Sequence, residues 1–211
     1  MKLGVLMVID SVHRRPYIKT AVKAWIHAAN LEIVPISPYI TGAEAAAIFD
    51  HIDGLFIHPG IAGEHMDSIV DNMANTLLTM ACSAAKSGRH FPVWGTCYGF
   101  EKIVEFIGKI DHLDALASKD YFTRLRWKGR LMHHVPYFDH TVGISVQRFV
   151  DNARLRNTFN ILGVATDRMG KDYVAFIEGR RLPWYGCQFH PEIHGDDFWT
   201  DELRRKMTTR P

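Results

Sequence analysis

Cysteine is scarce in this chain of 211 residues. The three cysteines stand at positions 82, 97 and 187, and no two of them form a Cys-x-x-Cys pair. An odd and widely spaced set excludes a disulfide scaffold and lacks the spacing of a zinc site. The twelve histidines supply no ligand set, since the adjacent His133 and His134 would point to opposite faces of a strand. We therefore expect no bound metal.

A charge excess of one sign is also lacking. The chain has 25 Lys and Arg against 23 Asp and Glu, a formal net charge of +2. That charge is too small to indicate a nucleic-acid partner. The longest apolar stretch is far shorter than a membrane span, so no membrane interaction is expected. Lys2 is followed directly by a buried-strand pattern rather than a signal peptide, which favours a cytoplasmic location.

The first half of the chain alternates short apolar strands with helices. The pattern predicts strands at 3–9, 33–36, 54–57 and 92–94, and helices at 16–30, 41–49 and 67–87. Shorter strands are predicted later, at 113–117, 143–146, 173–177 and 185–189. This alternation predicts an α/β fold of three layers, doubly wound and flavodoxin-like, with a mostly parallel sheet. No repeat or linker interrupts the chain, so we predict a single domain over residues 1–211.

The most informative segment is the run at residues 91–101. A short apolar strand ends at Trp94, residues 95–99 read Gly-Thr-Cys-Tyr-Gly, and a helical pattern follows. This is the cysteine form of a nucleophile elbow, in which flanking glycines permit a sharp strand-to-helix turn. A helix N-terminus beside the sulfur favours the thiolate. A free cysteine is otherwise a small buried hydrophobe, which fits Cys82 and Cys187, whereas we predict that Cys97 is a nucleophile.

A second motif lies near the C-terminus, where residues 185–192 read Tyr-Gly-Cys-Gln-Phe-His-Pro-Glu. A cysteine nucleophile needs a base, and histidine suits that role near neutral pH. In extended backbone Glu192 would point the same way as His190 and orient its ring, with Pro191 preventing a helix. The alternative for this motif alone is a strand end followed by a turn. Together with Cys97 it predicts a Cys–His–Glu triad.

These two motifs resemble those of the γ-glutamyl hydrolase family, within the class I glutamine amidotransferase-like superfamily. The motif Pro-Val-Trp-Gly-Thr-Cys-x-Gly-Phe-Glu matches at 92–101, and the motif Tyr-Gly-x-Gln-x-His-Pro-Glu matches at 185–192. Looser similarity covers most of the remaining chain, notably at 16–18, 32–36, 53–60 and 140–146. The resemblance implies a class I glutamine amidotransferase-like fold, hydrolysis through Cys97, His190 and Glu192, and no metal or organic cofactor.

The resemblance also implies an oxyanion hole and a substrate pocket. The hole would use the N–H of Tyr98 and one from the loop at Gly60 and Ile61, where the family usually has a second glycine in place of Ile61. Because a β-branched residue rarely adopts positive φ, we expect a different loop shape here. For the side chain of Tyr98 we expect ordinary packing. The family positions that help hold the substrate correspond to Glu101, His140 and Tyr17.

Three functions remain open at this point. The first is a cysteine hydrolase that cleaves γ-glutamyl amide bonds of folate-type poly-γ-glutamates or other small γ-glutamyl compounds. The second is the glutaminase component of an amidotransferase, which would deliver ammonia to a partner synthetase. The third is a binding protein that keeps the fold without activity. Apart from that synthetase, the expected partner is a small γ-glutamyl substrate, and a homodimer is compatible with the sequence.

Overall fold

The computed structural model describes residues 1–60, 67–194 and 197–209. Its strands are β1 (Lys2–Leu6), β2 (Val8–Ile9), β3 (Pro16–Tyr17), β4 (Glu32–Ile36), β5 (Gly54–Ile57), β6 (Val93–Thr96), β7 (Asp114–Phe122), β8 (Arg126–Trp127), β9 (Arg130–Leu131), β10 (Tyr137–Gly143), β11 (Phe159–Thr166), β12 (Asp172–Gly179) and β13 (Trp184–Cys187). Its helices are α1 (Thr20–Ala28), α2 (Gly42–Phe49), α3 (Ser68–Lys86), α4 (Tyr98–Gly108), α5 (Val146–Asp151), α6 (Ala153–Thr158), α7 (Pro191–His194) and α8 (Asp197–Thr208).

Nine of these strands form one mixed sheet in the order β4-β1-β5-β6-β13-β12-β11-β8-β9. The five strands from β4 to β13 are parallel, and the remaining four continue the sheet in antiparallel pairs. Carboxyl ends of neighbouring parallel strands meet at one edge, where α/β proteins place their sites. The predicted fold is confirmed, whereas the single-domain prediction over residues 1–211 stays a prediction.

Side chains alternate between two apolar layers along the parallel strands. Leu3 and Val5 of β1 pack with α1 and α8 on one face, while Leu6 packs with α2, α3 and α4 on the other. Phe56 of β5 packs in the first of these layers, and its strand neighbours Leu55 and Ile57 pack in the second. Strands buried on both faces read as continuous apolar runs, which is why their positions were predictable.

The prediction is wrong between the first strand and the first helix. The strand ends at Leu6, and β2 and β3 then pair antiparallel, with Val8 opposite Tyr17. Helix α1 consequently begins at Thr20 rather than at residue 16. Proline has no N–H to donate, and it is tolerated at the start of a short edge strand. Tyr17 therefore lies on a strand and not on the first helix.

The second half of the chain also differs from its prediction. β7 and β10 form a separate antiparallel ribbon that is longer than the strand predicted at 113–117. The strand predicted at 143–146 is wrong, because β10 ends at Gly143 and Ser145 caps α5 by accepting the N–H of Arg148. Ser favours helix N-caps for this reason. The strands predicted at 173–177 and 185–189 correspond to β12 and β13, which pair antiparallel.

The turn after β6 depends on glycine at two positions. A Cβ on Gly95 would collide with the backbone carbonyl of Gly99, and a Cβ on Gly99 would collide with the carbonyl of Ile57 in β5. Neither obstacle is a flexible side chain, so relief would require movement of the sheet or of α4. The close approach of α4 to β5 and β6 therefore requires both glycines.

We expect Gly99→Ala to lower the free energy of unfolding by about 3 kcal/mol, because an added Cβ has no space to enter. Urea unfolding followed by circular dichroism measures this change. Gly42→Ala is the matched control, since a Cβ at Gly42 meets nothing within 4 Å. Equal stability of the two variants would contradict the close approach described above.

Candidate active site

Cys97 occupies the strained turn between β6 and α4. Its backbone has φ 48° and ψ −109°, a combination that L-residues rarely adopt and that typically marks functional turns. Its N–H donates to the carbonyl of Cys187 at 2.8 Å, which holds the turn against the end of β13. The predicted elbow is therefore present, and the residue is 7% exposed.

Burial controls the protonation of Cys97. Desolvation raises the pKa of this thiol well above its ordinary value, and the charges of Glu101 and Glu192 raise it further. The backbone N–H of Tyr98 and the charge of Lys19 act in the opposite direction but do not prevail. The resting sulfur is thus a neutral thiol, and it lies 4.0 Å from the carbonyl oxygen of Asp139. The expected thiolate is absent at rest because burial outweighs the helix N-terminus.

His190 and Glu192 form a buried pair beyond the end of β13. Nδ1–H of His190 donates to Oε1 of Glu192 at 2.8 Å, which leaves the lone pair on Nε2. Nε2 is buried and has no hydrogen-bond partner among the described residues. Glu192 lies in the short helix α7, so the prediction that Pro191 keeps this segment extended is wrong. Proline suits the first position of a helix, because its missing N–H would have no partner there.

The sheet brings the two motifs to the same edge. β6 and β13 are parallel neighbours with Thr96 opposite Cys187. Strand β10 passes beside both motifs. Its Asp139 carbonyl contacts the sulfur, and its Tyr137 carbonyl accepts a hydrogen bond from the backbone N–H of His190 at 2.8 Å. The sulfur and Nε2 of His190 are not hydrogen-bonded to each other in this resting geometry. Catalytic hydrogen bonds are often long in free enzymes and tighten when substrate binds.

The two predicted oxyanion donors do not converge on one point in this structure. The N–H of Tyr98 faces the carbonyl of Pro59 at 3.4 Å, and the N–H of Gly60 donates to Nδ1 of His58 at 3.2 Å. Ile61, the other predicted contributor, lies outside the described residues. The role of these donors stays a prediction.

The side chain of Tyr98 packs between α4 and α3. Its ring packs in the apolar layer, and its hydroxyl donates to Oδ1 of Asp71 at 2.6 Å. Lys102 forms an ion pair with the same carboxylate. This network ties α4 to α3 and agrees with the expectation of ordinary packing.

Glu101 and His140, both predicted substrate-binding residues, lie within electrostatic reach of Cys97 and His190, respectively. Burial raises the pKa of Glu101 to about 7, opposed by a hydrogen bond that it accepts from Nε2 of Gln188 at 2.8 Å. Burial also lowers the pKa of His140 to about 3. The neutral His140 ring donates Nδ1–H to the carbonyl of Val142 at 2.8 Å, so its buried Nε2 retains a lone pair. Both side chains therefore keep hydrogen-bonding capacity, while their roles as substrate-binding residues stay predictions.

Sequence reasoning missed several residues at this edge. Asp139 was missed because nothing in the sequence links β10 to the elbow. Gln188 was quoted only as part of a motif, although it is buried and bonded to Glu101. His58 directly follows β5 and precedes Pro-Gly, and a polar residue after a buried strand is a usable signal. Tyr17, the third predicted substrate residue, lies two positions before Lys19, whose N–H contacts His58 at 3.2 Å.

Among residues 1–60, 67–194 and 197–209, no group of three or more His, Cys, Asp or Glu could hold a metal ion. No helix in those ranges combines the length and apolarity needed to cross a membrane. The cysteines at 82, 97 and 187 are all free.

Comparison with known proteins identifies the class to which this fold and site belong. The family model for class-I glutamine amidotransferases matches residues 17–208, so the chain belongs to that family. It is 32% identical to the gamma-glutamyl hydrolase of Mus musculus over 195 residues, which cover 83% of this chain and 61% of that protein. Identity to the gamma-glutamyl hydrolase of Homo sapiens is 27%, covering 84% of this chain and 61% of that protein. The resemblance inferred from the motifs is thereby confirmed.

The extent of the match limits what can be transferred. The chain spans about three fifths of the length of these curated relatives. Among solved structures, PurLQS from Thermotoga maritima superposes with a TM-score of 0.62, covering 98% of this chain and 94% of that one. Its sequence identity is only 13%, so this similarity concerns the fold alone.

We expect Glu101→Gln to stabilise the protein increasingly as pH rises from about 4.5 to about 7. The folded-state pKa lies above the unfolded value, so wild-type stability is fully present below 4.5 and declines as pH rises through 7. Glutamine keeps the oxygen that accepts the hydrogen bond from Gln188. It cannot ionise, so it avoids the free-energy cost of burying a charged carboxylate. The difference should reach on the order of 3 kcal/mol at pH 8, from the size of the shift.

Urea unfolding at pH 4, 6 and 8 measures this difference. Glu32→Gln, at an exposed position of β4, is the matched control for loss of one carboxyl group. A stability difference between Glu101→Gln and wild type that does not change with pH would contradict the raised pKa.

Proposed function

We propose that this protein is a cysteine hydrolase that cleaves γ-glutamyl amide bonds. One arrangement carries the proposal: a cysteine lies on a strained elbow at the end of β6, and beyond the end of the parallel neighbour β13 lies a histidine whose Nδ1–H is held by a buried carboxylate. Nε2 of that histidine has no hydrogen-bond partner among the described residues and keeps its lone pair. A nucleophile, a base and an orienting acceptor are the parts that acyl transfer requires.

The neutral resting thiol dictates the first chemical step. Nε2 of His190 takes the thiol proton as the sulfur attacks the γ-carbonyl carbon, and Glu192 stabilises the imidazolium that forms. Collapse of the tetrahedral intermediate breaks the C–N bond, and His190 gives its proton to the leaving amine. The products of this stage are a γ-glutamyl thioester on Cys97 and the free amine.

The thioester is then hydrolysed by the same groups in reverse. Nε2 of His190 takes a proton from water as its oxygen attacks the thioester carbonyl. The C–S bond breaks, the proton returns to the sulfur, and glutamate with a free γ-carboxylate leaves. No metal or organic cofactor enters this sequence of steps.

The nature of the substrate is proposed from the relatives and from the polar groups near the triad. The relatives of 27 to 32% identity are named gamma-glutamyl hydrolase, which favours γ-glutamyl amides, including folate-type poly-γ-glutamates. Nε2 of neutral His140 can accept a hydrogen bond from a ligand N–H. Glu101 can accept or donate, because its pKa of about 7 allows either protonation state near neutral pH.

The competing function is that of a glutaminase that works with a synthetase. Mass spectrometry of products from folate polyglutamates, γ-glutamyl peptides and glutamine separates the two. Cleavage of γ-glutamyl peptides by the isolated chain supports the proposal. Glutamine hydrolysis that begins only when a candidate synthetase is added would favour the alternative, and no cleavage with no labelling of Cys97 would favour an inactive binding protein.

Location and assembly complete the proposal. We infer a cytoplasmic location, since free cysteines at 82, 97 and 187 suit a reducing compartment. A homodimer stays a prediction, as does a synthetase partner under the alternative function.

We expect Cys97→Ala to abolish turnover of a γ-glutamyl peptide and iodoacetamide labelling at position 97, with the fold unchanged. The reason is that Cys187, the other thiol at this edge, is 0% exposed, whereas Cys82 lies on α3. Cys82→Ala, on α3 and outside the site, is the matched control and should keep wild-type kcat. Turnover by Cys97→Ala equal to that of wild type would end the hydrolase proposal.

We also expect a graded loss in the His190–Glu192 pair. His190→Asn removes the base itself, whereas Glu192→Gln only weakens its orientation. The first should lower kcat about a hundredfold further than the second, as in other triads. Steady-state kinetics measures this, with His27→Asn on the exposed side of α1 as control. A larger loss in Glu192→Gln than in His190→Asn would contradict these roles.

A further inference from the structure

His58 is a buried polar residue for which the proposed chemistry has no use. It directly follows β5, is 1% exposed, and stands between two backbone N–H groups. The N–H of Gly60 lies 3.2 Å from its Nδ1, and the N–H of Lys19 lies 3.2 Å from its Nε2. The ring therefore bridges the glycine loop and the start of α1.

The two contacts cannot both be hydrogen bonds. Burial, reinforced by the charge of Lys19, lowers the pKa of His58 to about 3, so the ring is neutral. A neutral imidazole has one N–H and one lone pair. When Nδ1 accepts from Gly60, Nε2 carries the proton and faces the Lys19 N–H without a bond. The other tautomer bonds to Lys19 and confronts Gly60 with a second donor.

The orientation of one peptide group decides what Gly60 can do. The Pro59 carbonyl and the Gly60 N–H belong to the same trans peptide and point in opposite directions. With that carbonyl toward the N–H of Tyr98, the Gly60 N–H points to His58 instead. A half-turn of this peptide would release the Tyr98 N–H and direct the Gly60 N–H toward the same side. Glycine permits the required φ change at low cost.

We propose that His58 is a positioning residue whose tautomer is coupled to the orientation of the Pro59–Gly60 peptide. In the resting state Nδ1 accepts from Gly60, and the Pro59 carbonyl occupies the N–H of Tyr98. In the turned state Nδ1–H donates to the Pro59 carbonyl, and Nε2 accepts from the Lys19 N–H. The N–H groups of Tyr98 and Gly60 then both face the developing oxyanion. The inference rests on the proposed function, because it assigns the turned state to acyl transfer.

The Lys19 N–H supplies the bias toward the turned state. In the resting tautomer it faces a protonated Nε2, whereas in the turned state it gains an acceptor. The Lys19 N–H is part-buried, and a donor shielded from water without a partner is costly, so this change favours the turned state. Lys19 has φ −54°, which proline can adopt, and Lys19→Pro therefore deletes this N–H with little backbone change.

The first test is spectroscopic and needs no substitution. Nitrogen-15 chemical shifts of the His58 ring report which nitrogen carries the proton. The probe is glutaric semialdehyde, the α-deamino aldehyde analogue of a γ-glutamyl group. The sulfur of Cys97 adds to its carbonyl carbon while the thiol proton passes to Nε2 of His190. The carbonyl oxygen takes the π electron pair as a hemithioacetal oxyanion. We expect the proton on Nε2 in the free protein and on Nδ1 in the adduct.

The second test separates positioning from mere support of the loop. Lys19→Pro should lower kcat for a γ-glutamyl peptide about tenfold relative to Lys19→Ala, with KM little changed. Lys19→Ala is the matched control, because it removes the same charged side chain and keeps the N–H. In a His58→Leu background the difference between Pro and Ala at position 19 should vanish, since no Nε2 remains to accept.

The outcomes distinguish this proposal from the one it rests on. Suppose that the protein cleaves the peptide and forms the adduct, but the same His58 nitrogen carries the proton in the free protein and in the adduct. That result would overturn the positioning role and leave the hydrolase proposal intact. Equal kcat for Lys19→Pro and Lys19→Ala would also overturn it, whether or not His58→Leu folds. Absence of both cleavage and adduct would overturn the proposed function, and this inference with it.

Discussion

The hydrogen bond from the Cys97 N–H to the Cys187 carbonyl joins the two parts of the chain that carry the chemistry. It extends the parallel pairing of β6 and β13 by one residue past the last register pair, Thr96 and Cys187. The backbone of Cys97 accepts an unfavourable φ because this bond, together with the glycine contacts beneath α4, fixes the turn. His190 follows three residues after Cys187, so the same pairing sets where His190 lies.

Burial dominates the electrostatics around this turn. It keeps the thiol of Cys97 protonated, raises the pKa of Glu101 and keeps the rings of His58 and His140 neutral. The thiol and these two rings therefore carry no charge at rest. Charge then develops only when a substrate carbonyl is attacked, where fixed dipoles stabilise it most effectively. The orientation of a few backbone N–H groups consequently matters more here than any ion pair.

Periodicity and glycine pattern predicted the parallel half of the fold, because strands buried on both faces have continuous apolar runs and the elbow has a distinctive motif. They failed where tertiary pairing overrode local preference. Pro16 and Tyr17 became a strand because Val8 and Ile9 pair with them. Glu192 reached His190 from a helix rather than from extended backbone, so the predicted contact formed although the reason given for it was wrong.

The sequence by itself determined the order of elements, the elbow at Cys97 and the His-Pro-Glu motif, since each depends on residues that are near one another in the chain. Only the tertiary structure decided which groups face each other and which of them hold protons. Three such features depend on segments far apart in sequence. They are the passage of β10 beside the sulfur, the burial that keeps the thiol neutral, and the placement of His58 between Gly60 and Lys19. Desolvation and hydrogen-bond direction are properties of packed neighbours, and a linear sequence does not specify them.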